Sequence, residues 1–200
     1  DLSARNDWSS TLAYTSHEKS GFFYPSVGFS LIFNKLMTLP RWVSLAKIRG
    51  AYSMVGNDIP MFITNPSSHI TAGGEFLASD AAPFKDMEPE MTHSFEAGIE
   101  ARFLKNRIGL NATFYKTNTR NQFFKLPTLS GDKYAYRYVN AGNIQNVGWE
   151  VSLDAVPLLT NHFKWKTEVN FSTNRNKIIS LHEALKEFLY GPTSFSSSYA

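Results

Sequence analysis

Five histidines, His17, His69, His93, His162 and His182, are scattered along the chain. No two of them have the spacing of a metal-binding pair. His93 has Ser94 beside it, the residue types of a base and a nucleophile. Neighbours on a strand point to opposite faces, so these two cannot meet. Asp80, Asp86, Glu88 and Glu90 gather oxygen donors of the kind that bind a divalent cation, but they lack the glycine-centred spacing of a calcium loop. Gly73-Gly74 is too short to cradle a phosphate. Cysteine is absent, which removes disulfide scaffolds, thiol catalysis and cysteine-ligated metal. Lys plus Arg is 20 against 17 Asp plus Glu, a net charge of +3. These cations are dispersed without interleaved aromatics, so no nucleic-acid partner is expected. The sequence thus predicts no catalytic residues, no metal and no cofactor. What remains is aromatic and polar side chains suited to non-covalent recognition.

The elements that carry them follow from composition and period. Of 200 residues, 14% are aromatic and 18% charged, which excludes a disordered chain. Nowhere do about 18 apolar residues run together, so no spanning helix is expected, but membrane β-strands are far less hydrophobic per segment. Asp1 to Asp7 has no basic stretch leading into an apolar one, so no signal peptide is expected. Alternation has already begun there, and the chain reads as an excerpt from a longer protein.

The period is two almost throughout. Val147, Trp149, Val151, Leu153 and Ala155 alternate with Gly148, Glu150, Ser152 and Asp154. Phe163 to Ser172, Thr92 to Phe103, Ile108 to Tyr115 and Pro25 to Phe33 behave likewise, a weaker strand covers Val43 to Val55, and a seventh covers Leu2 to Leu12. The strands run to roughly 10–14 residues, against about 5–6 in ordinary soluble domains, and about 9–11 tilted residues cross a bilayer. Short links (Asn34–Arg41, Phe103–Arg107, Pro157–His162) alternate with long ones (Ser16–Phe23, Asn57–Glu90, Arg120–Tyr138). Short turns at one end and long loops at the other suit an outer-membrane barrel. Trp42, Phe103, Phe163 and Trp165 lie near the short turns, and Trp8, Tyr24, Phe114 and Tyr115 near the long loops, as two interfacial belts would. Ser180-Leu181-His182-Glu183 has capping-box spacing, which predicts a short loop helix over Leu181–Tyr190.

Several segments resemble the SusC/RagA-like TonB-dependent transporters. They are Arg5-Asn6-Asp7-Trp8-Ser9-Ser10-Thr11-Leu12, Tyr24-Pro25-Ser26-Val27-Gly28-Phe29-Ser30, Lys47-Ile48-Arg49-Gly50-Ala51-Tyr52, Val55-Gly56-Asn57-Asp58, Glu88-Pro89-Glu90-Met91-Thr92, Asn140-Ala141-Gly142-Asn143-Ile144 and Asn174-Arg175-Asn176-Lys177. The resemblance implies an all-β fold, an antiparallel transmembrane barrel segment of about seven strands of the 22-stranded barrel. Residues 1–200 are then part of one barrel domain in a Gram-negative outer membrane, without the plug, the closing strands or the TonB box. It also implies a SusD-like surface lipoprotein as lid, coupling to the TonB complex through the missing N-terminal region, and import of an oligosaccharide or a peptide.

On that reading the apolar set faces lipid and the polar set lines the lumen. The expected lumen residues are Arg49, Glu96, Glu100, Arg102, Glu150, Asp154, Lys164, Lys166 and Glu168, whose mixed signs suit cross-strand ion pairing and a large polar solute. Phe62, Phe76, Phe84, Phe123, Phe124, Tyr134 and Tyr136, with Asn57 and Asp58, are the expected loop contacts to substrate; packing within the loops or against the lid is their structural alternative. Two other readings stay open at this level: a soluble or surface β-sandwich that binds carbohydrate, and an outer-membrane hydrolase.

Overall fold

The computed structural model describes residues 1–12, 15–17, 21–59, 63–77, 79–128 and 131–181. Its strands are β1 (Leu2–Asp7), β2 (Phe22–Ile32), β3 (Val43–Asn57), β4 (His69–Ile70), β5 (Phe76–Leu77), β6 (Glu90–Phe103), β7 (Ile108–Arg120), β8 (Phe123–Pro127), β9 (Tyr136–Asn140), β10 (Asn143–Leu159) and β11 (Lys164–Ser180). Seven form one sheet in the order β1-β2-β3-β6-β7-β10-β11. Every pairing in it is antiparallel. The seven expected strands and the alternation of short and long connections are therefore present.

Three features differ from expectation. The first strand pairs only as far as Asp7 and gives way to a 3-10 turn at Ser10–Leu12. Ser9 and Thr11 supply the reason, because short hydroxyl side chains offer the backbone and its neighbours local partners in place of the ladder. Ser9 Oγ accepts from the Thr11 N–H at 3.3 Å and donates to Asp58 at 2.7 Å. Second, the long connections hold structure of their own, the two-stranded sheets β4–β5 and β8–β9. Third, β7 runs past Phe114 to Arg120, so Phe114 and Tyr115 lie mid-strand on opposite faces. The helix expected over Leu181–Tyr190 lies, beyond its first residue, outside the described residues.

Register aligns the alternating residues into rows across the sheet. One row runs Phe29, Gly50, Ala97, Phe114, Trp149. The rings interlock: Phe114 and Trp149 lie 5.0 Å apart by centroid and Phe95 and Phe114 6.5 Å. Gly50 makes room for Phe29, since a Cβ there would stand 2.6 Å from the ring. At the short-turn end Trp42 stacks on Phe103 at 5.7 Å.

The apolar face has no second layer among the described residues. Trp149 is 50% exposed, Val169 58% and Phe171 61%. A β-sandwich would bury such rows between two sheets about 10 Å apart. The buried core lies instead among the long connections, where Leu12, Ile59, Ile63 and Met87 cluster against Phe22, Phe84, Phe123 and Tyr138. Leu126 and Ala141 make a second, smaller cluster.

Candidate functional site

The polar face of the sheet is one half of the site. Because side chains alternate, the register brings Arg49, Glu96, Glu100, Arg102, Glu150, Asp154 and Glu168 to a single face, with Lys164 and Lys166 at its lower edge on β11. Lys47 Nζ lies 3.5 Å from Glu100, Glu100 lies 3.6 Å from Arg102 Nε, and Arg102 lies 3.9 Å from Asp154. Lys166 pairs with Glu168 along β11 at 3.5 Å.

Glycine makes the longer of these contacts possible. Arg102 on β6 and Asp154 on β10 are separated by β7, and the β7 residue in register with both is Gly109. Two strand spacings are about 9.6 Å, and a side chain at 109 would fill the space the Asp154 carboxylate occupies. The same device recurs one row away. Arg49 on β3 lies over its register partner Gly98, and its guanidinium donates to Thr113 at 2.7 Å and Asn111 at 3.4 Å on β7. Tyr115 in turn lies over Gly148, its partner on β10. Sequence reading marked the charges as able to pair across strands. It missed the glycines that let them reach two strands away, although Gly98, Gly109 and Gly148 fall on polar-face positions of otherwise regular strands. Arg49, Asn111, Thr113 and Glu150 border a shallow hollow of about 300 Å³ on this face.

The long-loop end is the other half. Asn140 ties two connections together: its side chain accepts from the Glu88 N–H at 2.8 Å and donates to the carbonyls of Glu88 and Asn121 at 2.8 and 2.7 Å. Asn121 donates to the Glu88 carboxylate at 2.6 Å. Ala81 and Tyr136 form a β-bridge between the same connections. The loops at this end are thus stitched into one platform over the buried cluster.

The expected loop contacts divide on this platform. Phe84 and Phe123 pack on the main cluster and Phe124 on the smaller one, as the structural alternative had it. Phe76 on β5 is 66% exposed. Tyr136 carries the Lys125 ammonium 3.6 Å over its ring and meets Tyr138 edge-on. Burial, then the neighbouring Tyr136, raises the Tyr138 phenol. Tyr134 is half-buried and its carbonyl accepts from the Thr128 hydroxyl. Asn57 ends β3, exposed. Phe62 lies outside the described residues. A cleft of about 580 Å³ opens between platform and sheet, lined by Arg5, Asp7, Trp8, Tyr24, Asp58 and Pro89 among others. Arg5 pairs with Asp7 at 2.8 Å.

Asp58 is a structural anchor at the edge of this cleft. It accepts from Ser9 at 2.7 Å, Thr11 at 2.6 Å and the Ile59 N–H at 2.8 Å. Burial pushes its carboxyl up, but the Thr11, Ser9 and Ile59 donors together outweigh burial and hold it below the ordinary value of 3.8. A depressed folded pKa stabilises in full above the unfolded value and is lost as pH falls through the folded one. We therefore expect faster amide exchange over Ser9–Leu12 in wild type only below the ordinary carboxylate range. Asp58→Asn should show that loosening already at neutral pH, measured by hydrogen–deuterium exchange. Equal exchange in the two proteins at neutral pH would remove the anchor role.

Residues 1–185 match the family described as "TonB dependent receptor-like, beta-barrel". The chain is 25% identical over 169 residues to TonB-dependent receptor P39 of Formosa agariphila, covering 79% of this chain and 16% of that protein. It is 29% identical over 136 residues to TonB-dependent receptor SusC of Bacteroides thetaiotaomicron, covering 64% of this chain and 13% of SusC. The chain therefore spans a minor part of the length of these relatives. In fold it is similar to the RagAB peptide importer in its closed-closed state, with a TM-score of 0.74 and 23% identity over 90% of this chain and 20% of that one. The open-open state gives the same TM-score over 88% of this chain.

Proposed function

Since the chain belongs to the TonB dependent receptor-like β-barrel family, we propose that its apolar sheet face meets lipid and its polar face lines the lumen of a SusC/RagA-type nutrient importer. The segment is an outer-membrane barrel element of a Gram-negative bacterium, and its family works by transport, which displaces the hydrolase reading. On the proposed reading residues 1–200 belong to one barrel domain, energised by TonB through a region outside this segment.

The observation that carries the orientation is the segregation of carboxylates to one face and of apolar middle rows to the other. On β6, β7, β10 and β11 every carboxylate (Glu90, Glu96, Glu100, Glu150, Asp154, Glu168) lies on one side, while the middle rows of the other side hold Ile99, Ala112, Val151 and Phe171. Lipid exacts such a separation and water does not. The mixed-sign polar face, with cross-strand pairs such as Lys47–Glu100 and Arg102–Asp154, suits passage of a large polar solute such as an oligosaccharide or a peptide. A SusD-like lipoprotein would close the long-loop end, where the stitched platform presents Phe76, Tyr134 and Tyr136.

The absence of cysteine from the chain gives a direct test in a whole receptor freed of other thiols. A water-soluble maleimide should label Glu150→Cys through the lumen of intact outer membranes and leave Val151→Cys unlabelled. Labelling of Val151→Cys alone would reverse the orientation, and equal labelling would remove it. Uptake of fluorescent oligosaccharides and peptides by cells with and without the receptor, together with co-purification of the lipoprotein, tests the transport reading. Unchanged uptake of both on deletion would reject it.

A further inference from the structure

The lipid-facing side changes character at its long-loop end. On β7 the same-face series Ile108, Leu110, Ala112, Phe114 is followed by Lys116, Asn118 and Arg120. On β11 Val169 and Phe171 are followed by Thr173, Arg175 and Lys177. Lys116 and Arg175 share a row, joined through Val147 of β10, and two strand spacings put their backbones about 10 Å apart. All four cations are exposed, and none enters an ion pair among the described residues. That face has no carboxylate on β6, β7, β10 or β11. Between the cations the Gln145 amide donates to Asn118 at 3.2 Å and the Asn118 amide to Asn143 at 3.0 Å.

Height places this patch. From Ile108 to Lys116 the strand advances about 27 Å at ~3.4 Å per residue, which is roughly 20 Å along the normal at a tilt of ~40°. From Trp165 to Arg175 the same arithmetic gives roughly 26 Å. The apolar band of such barrels is about 25 Å tall. The row of Lys116 and Arg175 therefore lies where acyl chains give way to headgroups on the loop side, directly above the Phe114–Trp149 pair.

We propose that Lys116, Arg120, Arg175 and Lys177 form a binding site for a phosphorylated glycolipid headgroup of the outer leaflet. Charge complementarity fixes the class: four cations at headgroup depth without an ion pair among the described residues, with amides between them, offer charge-assisted donors to phosphate and ordinary ones to sugar hydroxyls. The acyl chains of the same lipid lie on Trp149, Phe114 and Phe171 below. The inference rests on the lipid-facing reading of this side.

The test uses the whole receptor, delipidated in detergent and titrated with bisphosphorylated lipid A under native mass spectrometry. Each cation removed should weaken binding about five-fold, so K116Q/R120Q/R175Q/K177Q should bind roughly six-hundred-fold more weakly. Lipid A stripped of its phosphates should lose affinity to a similar degree. K116R/K177R should keep wild-type binding, as should K35Q/K105Q at the opposite end. Retained affinity in the four-fold variant, or equal affinity for dephosphorylated lipid, would overturn the site. Should the four-fold variant not fold, K116Q/K177Q gives the same reading at about twenty-five-fold. Maleimide labelling of Val151→Cys from water would instead overturn the orientation beneath it, so the two failures are distinguishable.

Discussion

Val151→Arg is expected to destabilise the folded receptor in lipid by about 2–4 kcal/mol, whereas Ser152→Arg, one residue on, should cost less than about 1 kcal/mol. Val151 is midway along β10 and midway along the apolar run from Val147 to Ala155. Its register partners are Ala112 and Phe171, so an arginine there has no polar neighbour on its face and is too deep to reach headgroups without distorting the bilayer. Ser152 pairs with Asn111 and Asn170 on the other face and borders the hollow that also holds Glu150, which can accommodate a guanidinium. Urea unfolding of the receptor in thin-chain phosphatidylcholine vesicles, followed by the heat-modifiable gel shift, measures both. Equal costs would mean that the two faces meet the same solvent, and the barrel orientation would fall.

That contrast was readable from the sequence, because it needs only the period. A one-residue shift in register exchanges the two faces, so Val147, Trp149, Val151 and Leu153 name their side as soon as β10 is recognised. The turn alternation was equally legible, since three short links and three long ones are a matter of length. What the period cannot carry is contact between residues two strands apart. The Arg102–Asp154 pair depends on Gly109 being in register with both, and register between strands is fixed only once the sheet is assembled. The loops were hidden for a different reason. Phe123 and Phe124 read as neighbouring loop contacts to substrate, but β8 alternates too, and it sends one to each hydrophobic cluster. Asn140 read as part of a family motif, and its three hydrogen bonds to Glu88 and Asn121 join residues far apart in sequence. Likewise β1 was extended to Leu12 because Ser9, Ser10 and Thr11 do not break alternation, while their hydroxyls find partners off the ladder.

The platform's own stability can be separated from that of the sheet. Met87→Ala should raise amide exchange over residues 63–77 and 79–89 by about 30-fold or more, while exchange in β6, β7 and β10 stays as in wild type. Met87 is fully buried, among Leu12, Ile59 and Ile63. Truncating a buried methionine to alanine costs about 2–5 kcal/mol in transfer and cavity terms, and about 1.4 kcal/mol is a factor of ten in an opening equilibrium. The sheet is spared because its rows draw on cross-strand pairs rather than on this cluster. The loosening should spread to β8 and β9, since Asn140 and the Ala81–Tyr136 bridge bind those strands to the same connection. Acceleration confined to Met87's neighbours would mean that the stitches carry no coupling. Unchanged exchange throughout would mean that the cluster does not hold the loops at all. A platform that opens as one unit would present Phe76, Tyr134 and Tyr136 together or not at all, which makes docking at the long-loop end sensitive to a methionine that no partner touches.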